Sequence, residues 1–270
     1  GRAIASVDIS FAIAGIAIMP IFGKLIAIYG WHSPFLILSA LSIISAGFIW
    51  KKFPQAEERT IATKKYSDIR KILLNPKVLA SIVIGFLLFV AFSGFITVWS
   101  LWMSVDYGFD APALGALARS IAIAELLGAG LVGLLIDRIG KRRGSWAALL
   151  LLSAILILMP LTPKVLPVVK TVLIITGGVF EFAIIALFSL YAEQAPNARA
   201  TLFSLVALGN SLGMGLGPPI AASLWDWKGL PAFSAVAVLC VIISALLVVI
   251  FLRENGSQED KKVINPGNGR

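Results

Sequence analysis

The chain has 270 residues, of which 59% are hydrophobic and 14% charged, and its formal net charge is +9. A water-soluble fold cannot bury so much apolar surface, and apolar stretches of about 20 residues, long enough to cross a bilayer core, recur along the chain. A single cysteine, Cys240, and a single histidine, His32, exclude an internal disulfide, a metal cluster and a histidine-based triad. We therefore expect a membrane protein that is not an enzyme and needs no cofactor.

Hydropathy predicts eight membrane-spanning helices. Several of them exceed the minimum length for a span, which indicates tilted or kinked helices. The predicted fold is an all-α polytopic helical bundle. The predicted spans are residues 4–28, 34–52, 77–105, 112–136, 145–161, 165–192, 200–225 and 230–252.

The basic residues predict the orientation of these spans. If residue 1 lies inside and the spans alternate, most of the 23 lysines and arginines fall in cytoplasmic stretches, whereas Lys164, Lys170 and Lys228 lie in outside loops. Both termini are then cytoplasmic, and the chain is a multi-pass protein of a bacterial-type cytoplasmic membrane. No basic face is organised with stacking aromatics, so nucleic acid is not expected as a partner.

The first and seventh predicted spans carry similar motifs of glycine and proline. Glycines four residues apart expose a flat helix face, and a proline frees a carbonyl that a neighbouring helix can satisfy. The motifs predict bent helices, although a seam of small residues for close helix packing explains them as well. The candidate bend residues are Gly15, Pro20 and Gly23 in the first span and Gly213, Gly217 and Pro218 in the seventh.

Residues 53–76 differ in character from the spans, because acidic and basic residues follow one another along them. The apolar spacing after Ser67 predicts a short helix at the membrane surface that begins near that residue. An ordinary solvated connector is the alternative interpretation of the same stretch.

Ionisable residues within the predicted spans are candidates for function, since a charge at bilayer depth is costly. Glu125 lies near the middle of the fourth span and Glu181 near the middle of the sixth. Either acid is a candidate proton carrier or substrate-coupling residue; the alternative is a structural carboxylate that locks two helices together. Arg119 is six residues from Glu125, about 240° around the helix, so it is expected to point into a cavity or towards the membrane surface.

Residues 133–143 read G-x-L-x-D-R-x-G-x-R-R and lie between the fourth and fifth spans. An acid at the end of a helix is unfavourable against the helix dipole unless it has a partner. Asp137 is therefore expected to pair with the bases that follow it or with the start of another helix. The pattern resembles the cytoplasmic loop signature of the major facilitator superfamily of secondary transporters, in the copy between their eighth and ninth membrane helices.

The resemblance implies a bundle of two parallel halves with six helices in each. The eight predicted spans then correspond to helices five to twelve, and four N-terminal helices are expected to precede Gly1. The motif of the first span resembles the fifth-helix signature of proton-coupled drug exporters, with Met19 and Lys24 in place of two of its glycines. The implied parts are 1–52, the last two helices of the N-terminal half; 53–76, a linker between halves; 77–253, the C-terminal half; and 254–270, a disordered cytoplasmic tail.

The run from Tyr191 to Ala200 resembles the tight inner turn between helices ten and eleven of the same family. It is expected to bring an acid and a base to the surface that carries Asp137. Ion pairs made in one conformation and broken in another could then bias the equilibrium between inward and outward states. The predicted cytoplasmic gate consists of Gly133, Asp137, Arg138, Gly140, Lys141, Arg142, Glu193 and Arg199.

The resemblance predicts alternating-access transport of a small organic solute, as efflux of an apolar or amphiphilic compound in exchange for protons. Uptake of a sugar or other metabolite is a second interpretation, and a non-transporting membrane fragment or assembly partner is a third. The expected partners are the small-molecule substrate, protons and the lipid bilayer, and the complete protein is expected to be a monomer. Some aromatic residues of the third span are expected to line the substrate path: Phe86, Phe89, Phe92, Phe95, Trp99 and Trp102.

Overall fold

A computed structural model of the chain describes residues 14–52 and 73–254, and within these residues it contains helices and no strand. A π-helical turn, Ala14–Ile18, leads into the first α-helix. The α-helices, numbered in chain order, are α1 (Met19–Tyr29), α2 (Ser33–Lys52), α3 (Pro76–Tyr107), α4 (Ala111–Ile139), α5 (Lys141–Leu158), α6 (Leu166–Tyr191), α7 (Arg199–Lys228) and α8 (Leu230–Phe251).

Seven of the described helices, α2 to α8, are long and apolar enough to cross a membrane, and Ile16–Tyr29 forms a shorter apolar helix. The predicted all-helical bundle is confirmed, and the predicted spans from the second to the eighth coincide with α2 to α8 within a few residues. Residues 4–13 of the predicted first span, most of the predicted surface helix after Ser67, and residues 255–270 of the predicted tail lie outside the described residues.

Capping residues and glycines set the helix ends. Asn75 accepts a hydrogen bond from the backbone N–H of Lys77 at 3.0 Å, and Asp110 accepts one from Ala113 at 2.9 Å, so these side chains satisfy free donors at the starts of α3 and α4. Gly140 has a φ of 90°, which favours glycine, and it separates α4 from α5 by a single residue. The resulting turn is tight and brings the two helices together at one end of the bundle.

Helix α7 packs along α3 more extensively than any other described pair of helices. Its glycines face the backbone of α3: a Cβ atom on Gly209 would lie 2.7 Å from the carbonyl oxygen of Ile82, and one on Gly217 would lie 2.6 Å from that of Val90. Helix α7 also runs without interruption through Pro218. The glycines of the seventh-span motif thus form a packing seam, as small residues do between membrane helices.

Glycines also mediate two other crossings. Gly128 of α4 lies against the carbonyl oxygen of Gly178 on α6, and a Cβ atom on Gly23 of α1 would lie 2.5 Å from the carbonyl oxygen of Ala111 at the start of α4. Helix α8 packs against α3 and α5 and completes the core. Helix α2 contacts α1 over a short stretch, and its side chains from residue 35 to residue 51 are exposed.

Candidate functional site

One end of the bundle carries most of the described long-range hydrogen bonds. We call it the Gly140 side; it consists of residues 139–142, 192–199 and 252–254, from the α4–α5 turn, the α6–α7 turn and the end of α8. The opposite end, the Gly108 side, contains the turns at residues 30–32, 108–110, 162–165 and 229. Most of the residues predicted to form a gate lie on the Gly140 side.

An ion pair joins α5 to the turn after α6. The Nζ atom of Lys141 lies 2.5 Å from Oε1 of Glu193, and the two side chains are 31% and 16% exposed. The sequence placed both residues in the predicted gate, and the structure brings them together. Because the pair is partly shielded from water, its attraction exceeds that of a fully exposed pair.

A second carboxylate, that of Glu254, caps the start of α5. Its Oε1 accepts a hydrogen bond from the backbone N–H of Lys141 at 2.9 Å, and its Oε2 accepts one from Arg142 at 3.2 Å. The first N–H groups of a helix have no partner within the helix and carry partial positive charge, so a negative group is stabilised there. Glu254 is the first residue of the predicted disordered tail, and these two hydrogen bonds hold it at the start of α5.

Gln194 ties the ends of α6 and α8 together. Its buried amide donates to the carbonyl oxygens of Leu190 at 2.9 Å and Arg253 at 2.8 Å, and its Oε1 accepts from the backbone N–H of Arg253 at 3.2 Å. The guanidinium of Arg142 donates to the carbonyl oxygen of Val249 on α8 at 2.5 Å. These bonds, with Glu254 and the Lys141–Glu193 pair, form what we call the Gly140-side network, and it links α5, α6 and α8.

Three residues of the predicted gate do not join this network. Asp137, Arg138 and Arg199 are exposed and make no hydrogen bond or ion pair within residues 14–52 and 73–254. The partner expected for Asp137 is therefore not found there. The reason is geometric: Ile136 is buried, and one residue further on, about 100° around α4, the Asp137 side chain points away from the packed face. The start of the next helix, α5, is occupied by Glu254. Gly133 also lies in open space.

Within the spanning part of the bundle, Glu125 on α4 and Glu181 on α6 are near neighbours. Both are half-buried, and their carboxylates are close enough for their charges to interact. Glu125 packs over Gly177: a Cβ atom on that glycine would lie 3.6 Å from Oε1 of Glu125. Gly177 precedes Glu181 by about one turn of α6, so both residues share the helix face that meets α4. Arg119, by contrast, is exposed.

Aromatic rings pack between α6 and α3 at the residue before Glu181. Phe180, the neighbour of Glu181, is fully buried, and its ring centroid lies 5.5 Å from that of Phe92 and 5.5 Å from that of Phe95, both on α3. Of the aromatic residues expected along a substrate path, Phe95, Trp99 and Trp102 are buried in the core. Phe86, Phe89 and Phe92 are half-buried.

The arrangement has the architecture that the loop signature suggested, and a comparison with known families decides its membership. The model of the Major Facilitator Superfamily matches the chain in two overlapping stretches, residues 1–196 and 83–267. The chain belongs to this superfamily.

Two curated relatives come from Bacillus subtilis (strain 168). The chain is 24% identical over 233 residues to the uncharacterized MFS-type transporter YceJ, a match that covers 85% of this chain and 58% of the relative. It is 28% identical over 224 residues to multidrug resistance protein 2, which covers 78% of this chain and 55% of that protein. This major-facilitator chain thus spans a little more than half the length of the curated relatives it matches.

Sequence reasoning missed two residues of the Gly140 side, Gln194 and Glu254. Both lie in short polar segments that follow an apolar helix, and this position does not distinguish them from other solvated residues. Glu254 is 113 residues from Lys141 along the chain, so no local spacing relates the two. The available signal was weak: Glu254 is the first acid after α8, and the basic start of α5 lacks an acidic residue of its own.

Proposed function

We propose that this member of the superfamily moves a small apolar or amphiphilic organic molecule across the membrane by alternating access, as efflux coupled to protons. The observation that carries the proposal is that Glu125 of α4 packs over Gly177 of α6, one helical turn before Glu181, which makes the two acids neighbours. Two carboxylates that face each other in a low-dielectric setting repel, and a proton on either one removes the repulsion. Proton binding at this pair is thereby linked to the packing of two helices.

The crossing of α1 and α4 supports alternating access. The resemblance assigns α1 to the N-terminal half and α4 to the C-terminal half. The two helices touch through glycine: a Cβ atom on Gly115 would lie 2.9 Å from the carbonyl oxygen of Met19. Parallel halves of such transporters rock against each other about a central site. Glycine lets the two helices approach closely at this point, and we propose that the halves pivot there.

The Gly140-side network supports a division of roles among the predicted gate residues. Its bonds join α5, α6 and α8, which belong to the same predicted half, so the network moves as one unit when the halves rock. Asp137 and Arg199 are exposed on the same side of the bundle and are left to pair across the halves in another conformation. We propose that Asp137 and Arg199 form the conformational switch and that the Gly140-side network supports it rigidly.

Two observations favour an apolar or amphiphilic cargo. One relative bears the name multidrug resistance protein 2, and the Phe180–Phe92–Phe95 ring cluster lies between α3 and α6, at the residue before Glu181. A solute with an apolar body can pack on such rings, whereas a sugar needs hydrogen-bonding side chains.

The test uses the full-length protein reconstituted into vesicles, with ethidium, a fluorescent amphiphilic cation, as the transported probe. Glu125→Gln and Glu181→Gln each remove a proton site and keep the shape of the side chain. If this pair couples protons, at least one variant should lose ethidium transport driven by a pH gradient at least tenfold, and should keep ethidium exchange at equal pH. The matched control is Asp226→Asn, an exposed acid on the Gly108 side, which should transport like the parent protein.

Unaltered pH-driven transport in both glutamine variants would remove the proton role from this pair. Equal losses of abundance and transport would instead assign the carboxylates a structural role. If ethidium moves in the same direction as the protons, the protein is an uptake transporter. That result would contradict efflux and would leave the alternating-access proposal in place.

A further inference from the structure

A second feature of the structure is a cavity beside the contact between α4 and α6. A half-open cavity of about 470 Å³ is bounded by α4, α5 and α6. Its walls consist of apolar side chains and glycine, among them Leu127, Leu131 and Leu135 of α4, Ala147 and Leu151 of α5, and Ile175 of α6. Leu127 is 63% exposed and Leu151 is 53% exposed, so the cavity opens to the outside of the bundle.

The cavity faces away from the other half of the transporter. On α4, Gly115 packs against α1, and Leu131, which lines the cavity, follows sixteen residues later. Steps of about 100° per residue place the two about 160° apart around the helix. The cavity therefore lies on the side of α4 that is turned to the surrounding membrane, and the interface between halves lies on the opposite side. A molecule of the bilayer can therefore enter the cavity from that side.

The cavity extends along the bundle to the Gly140 side, where Ile139 and Gly144 line its end. Two arginines flank that end. Arg138 follows Leu131 by seven residues and so lies about 20° from it around α4, and Arg143 precedes the cavity-lining Ala147 by about one turn of α5. Both arginine side chains are exposed.

The other charges near this end are engaged elsewhere. Lys141 holds Glu193, Arg142 bonds the carbonyl oxygen of Val249, and the carboxylate of Glu254 accepts from the backbone at the start of α5. Asp137 is turned about 100° around α4 from Arg138. Arg138 and Arg143 make no ion pair with another residue of the described part of the chain, so the end of the cavity presents positive charge that is available to a ligand.

We propose that this cavity binds an anionic phospholipid of the leaflet on the Gly140 side. One acyl chain fills the apolar space between α4, α5 and α6, and the phosphate lies between the guanidinium groups of Arg138 and Arg143. Basic side chains at the end of a groove between membrane helices attract lipid headgroups, and arginine matches the geometry of a phosphate. A bound lipid wedged between α4 and α5 would stiffen the helix that carries Glu125.

The experiment measures lipid binding directly and is independent of transport. The full-length protein is purified in a neutral detergent and titrated with phosphatidylglycerol or phosphatidylcholine, and native mass spectrometry counts the bound lipids. We expect one phosphatidylglycerol to bind in preference to phosphatidylcholine. R138Q/R143Q should weaken phosphatidylglycerol binding about 30-fold, the change that corresponds to about 1 kcal/mol for each basic side chain at a membrane surface.

Three matched variants separate the effect of the two arginine charges, the effect of a charge elsewhere, and the effect of the space in the cavity. R138K/R143K keeps both charges and should retain most of the preference, whereas Lys77→Gln removes a charge from α3, which does not line the cavity, and should change nothing. Ala147→Phe fills the cavity and should reduce phosphatidylglycerol binding while the arginines stay. Inorganic phosphate at millimolar concentration should not displace the lipid, because it lacks the acyl chain.

Several results would overturn the proposal. Equal binding of the two lipids by the parent protein would remove the role of charge, as would full binding by a folded R138Q/R143Q variant. Undiminished binding by Ala147→Phe would show that the lipid does not occupy this cavity. Displacement by inorganic phosphate alone would show that the two arginines bind the phosphate and that the cavity holds no acyl chain.

Discussion

The α3–α7 and α4–α6 pairs are built by the same packing rule and carry different chemistry. In both, glycines of one helix lie against backbone carbonyl groups of the other, as Gly213 does against Phe86 and Gly128 against Gly178. The polar groups within the α3–α7 seam are neutral; one example is Ser93, whose hydroxyl donates to the carbonyl oxygen of Gly213 at 3.3 Å. The α4–α6 pair carries two carboxylates, Glu125 and Glu181, about one helical turn apart along the contact.

The difference separates stability from function. In the neutral α3–α7 seam, close contacts stabilise the packing of the two helices. Within the described residues, the seam contains no group that takes up a proton, so its role is to hold α3 and α7 together. A seam that contains two acids changes its interaction energy with each proton, so its packing can differ between two states of the transporter. The α4–α6 pair also ends at the Gly140 side, where Glu193 follows α6 and meets Lys141. We therefore expect disruptive substitutions in the α3–α7 seam to abolish folding, and substitutions of the acids in the α4–α6 pair to abolish transport.

The largest effect is expected from Gly213→Leu in α7. A Cβ atom there meets the backbone of α3 at Phe86, which cannot move aside, so the two helices must separate. Overpacking by a few methylenes costs roughly 1–3 kcal/mol even where neighbours can adjust. We expect loss of the folded protein, measured as the monodisperse fraction after detergent extraction. Gly215→Leu is the control, since no atom lies within 4 Å of its Cβ position and the variant should fold. Equal yields of both variants would break the comparison.

The second prediction concerns Asp137 at the end of α4. Asp137→Asn removes a charge and keeps the shape, so membrane abundance should stay at the parental level, while ethidium transport should fall at least tenfold. The side chain is exposed and makes no bond within the described residues, so a stability effect is not expected. Arg138→Ala should show a smaller loss, because neighbouring bases can substitute. Parental transport by Asp137→Asn at equal abundance would contradict the switch role.

The membrane spans, the family and the two acids within the spans could be predicted from the sequence, for physical reasons. Apolar length gave the spans, because a bilayer fixes how long a helix must be, and the Asp137 loop signature indicated the family. Glu125 and Glu181 stood out because a charge at depth is rare. Which helices pack together could not be predicted. The spacing of small residues shows which face of a helix allows close packing, but it does not show which other helix packs there. Gln194 and Glu254 stayed hidden because their bonds connect turns that are distant along the chain.

A third, smaller effect is expected at the start of α5. Glu254→Gln leaves one oxygen to accept from the two backbone N–H groups and removes the negative charge at the helix start. Loss of a helix cap costs about 0.5–2 kcal/mol, and we expect about 1 kcal/mol here, measured by thermal unfolding of the purified protein in detergent. Arg253→Gln is the matched control, because Arg253 joins the network through its backbone. A larger loss of stability in Arg253→Gln than in Glu254→Gln would show that the Arg253 side chain, and not the Glu254 cap, holds this end.

The smallest effect is expected from the ion pair between Lys141 and Glu193. Both side chains keep some contact with water, at 31% and 16% exposure, so solvent and salt screen their attraction. A double-mutant cycle with Lys141→Gln and Glu193→Gln should give a coupling energy below about 1 kcal/mol, and the coupling should shrink as the salt concentration rises. The cycle is needed because Glu193 makes further interactions that a single variant would also remove. A coupling well above this value that resists salt would mean that the pair is closed to water. The Gly140-side network would then stabilise the protein as much as the α3–α7 seam does, and the contrast between the two helix pairs would be lost.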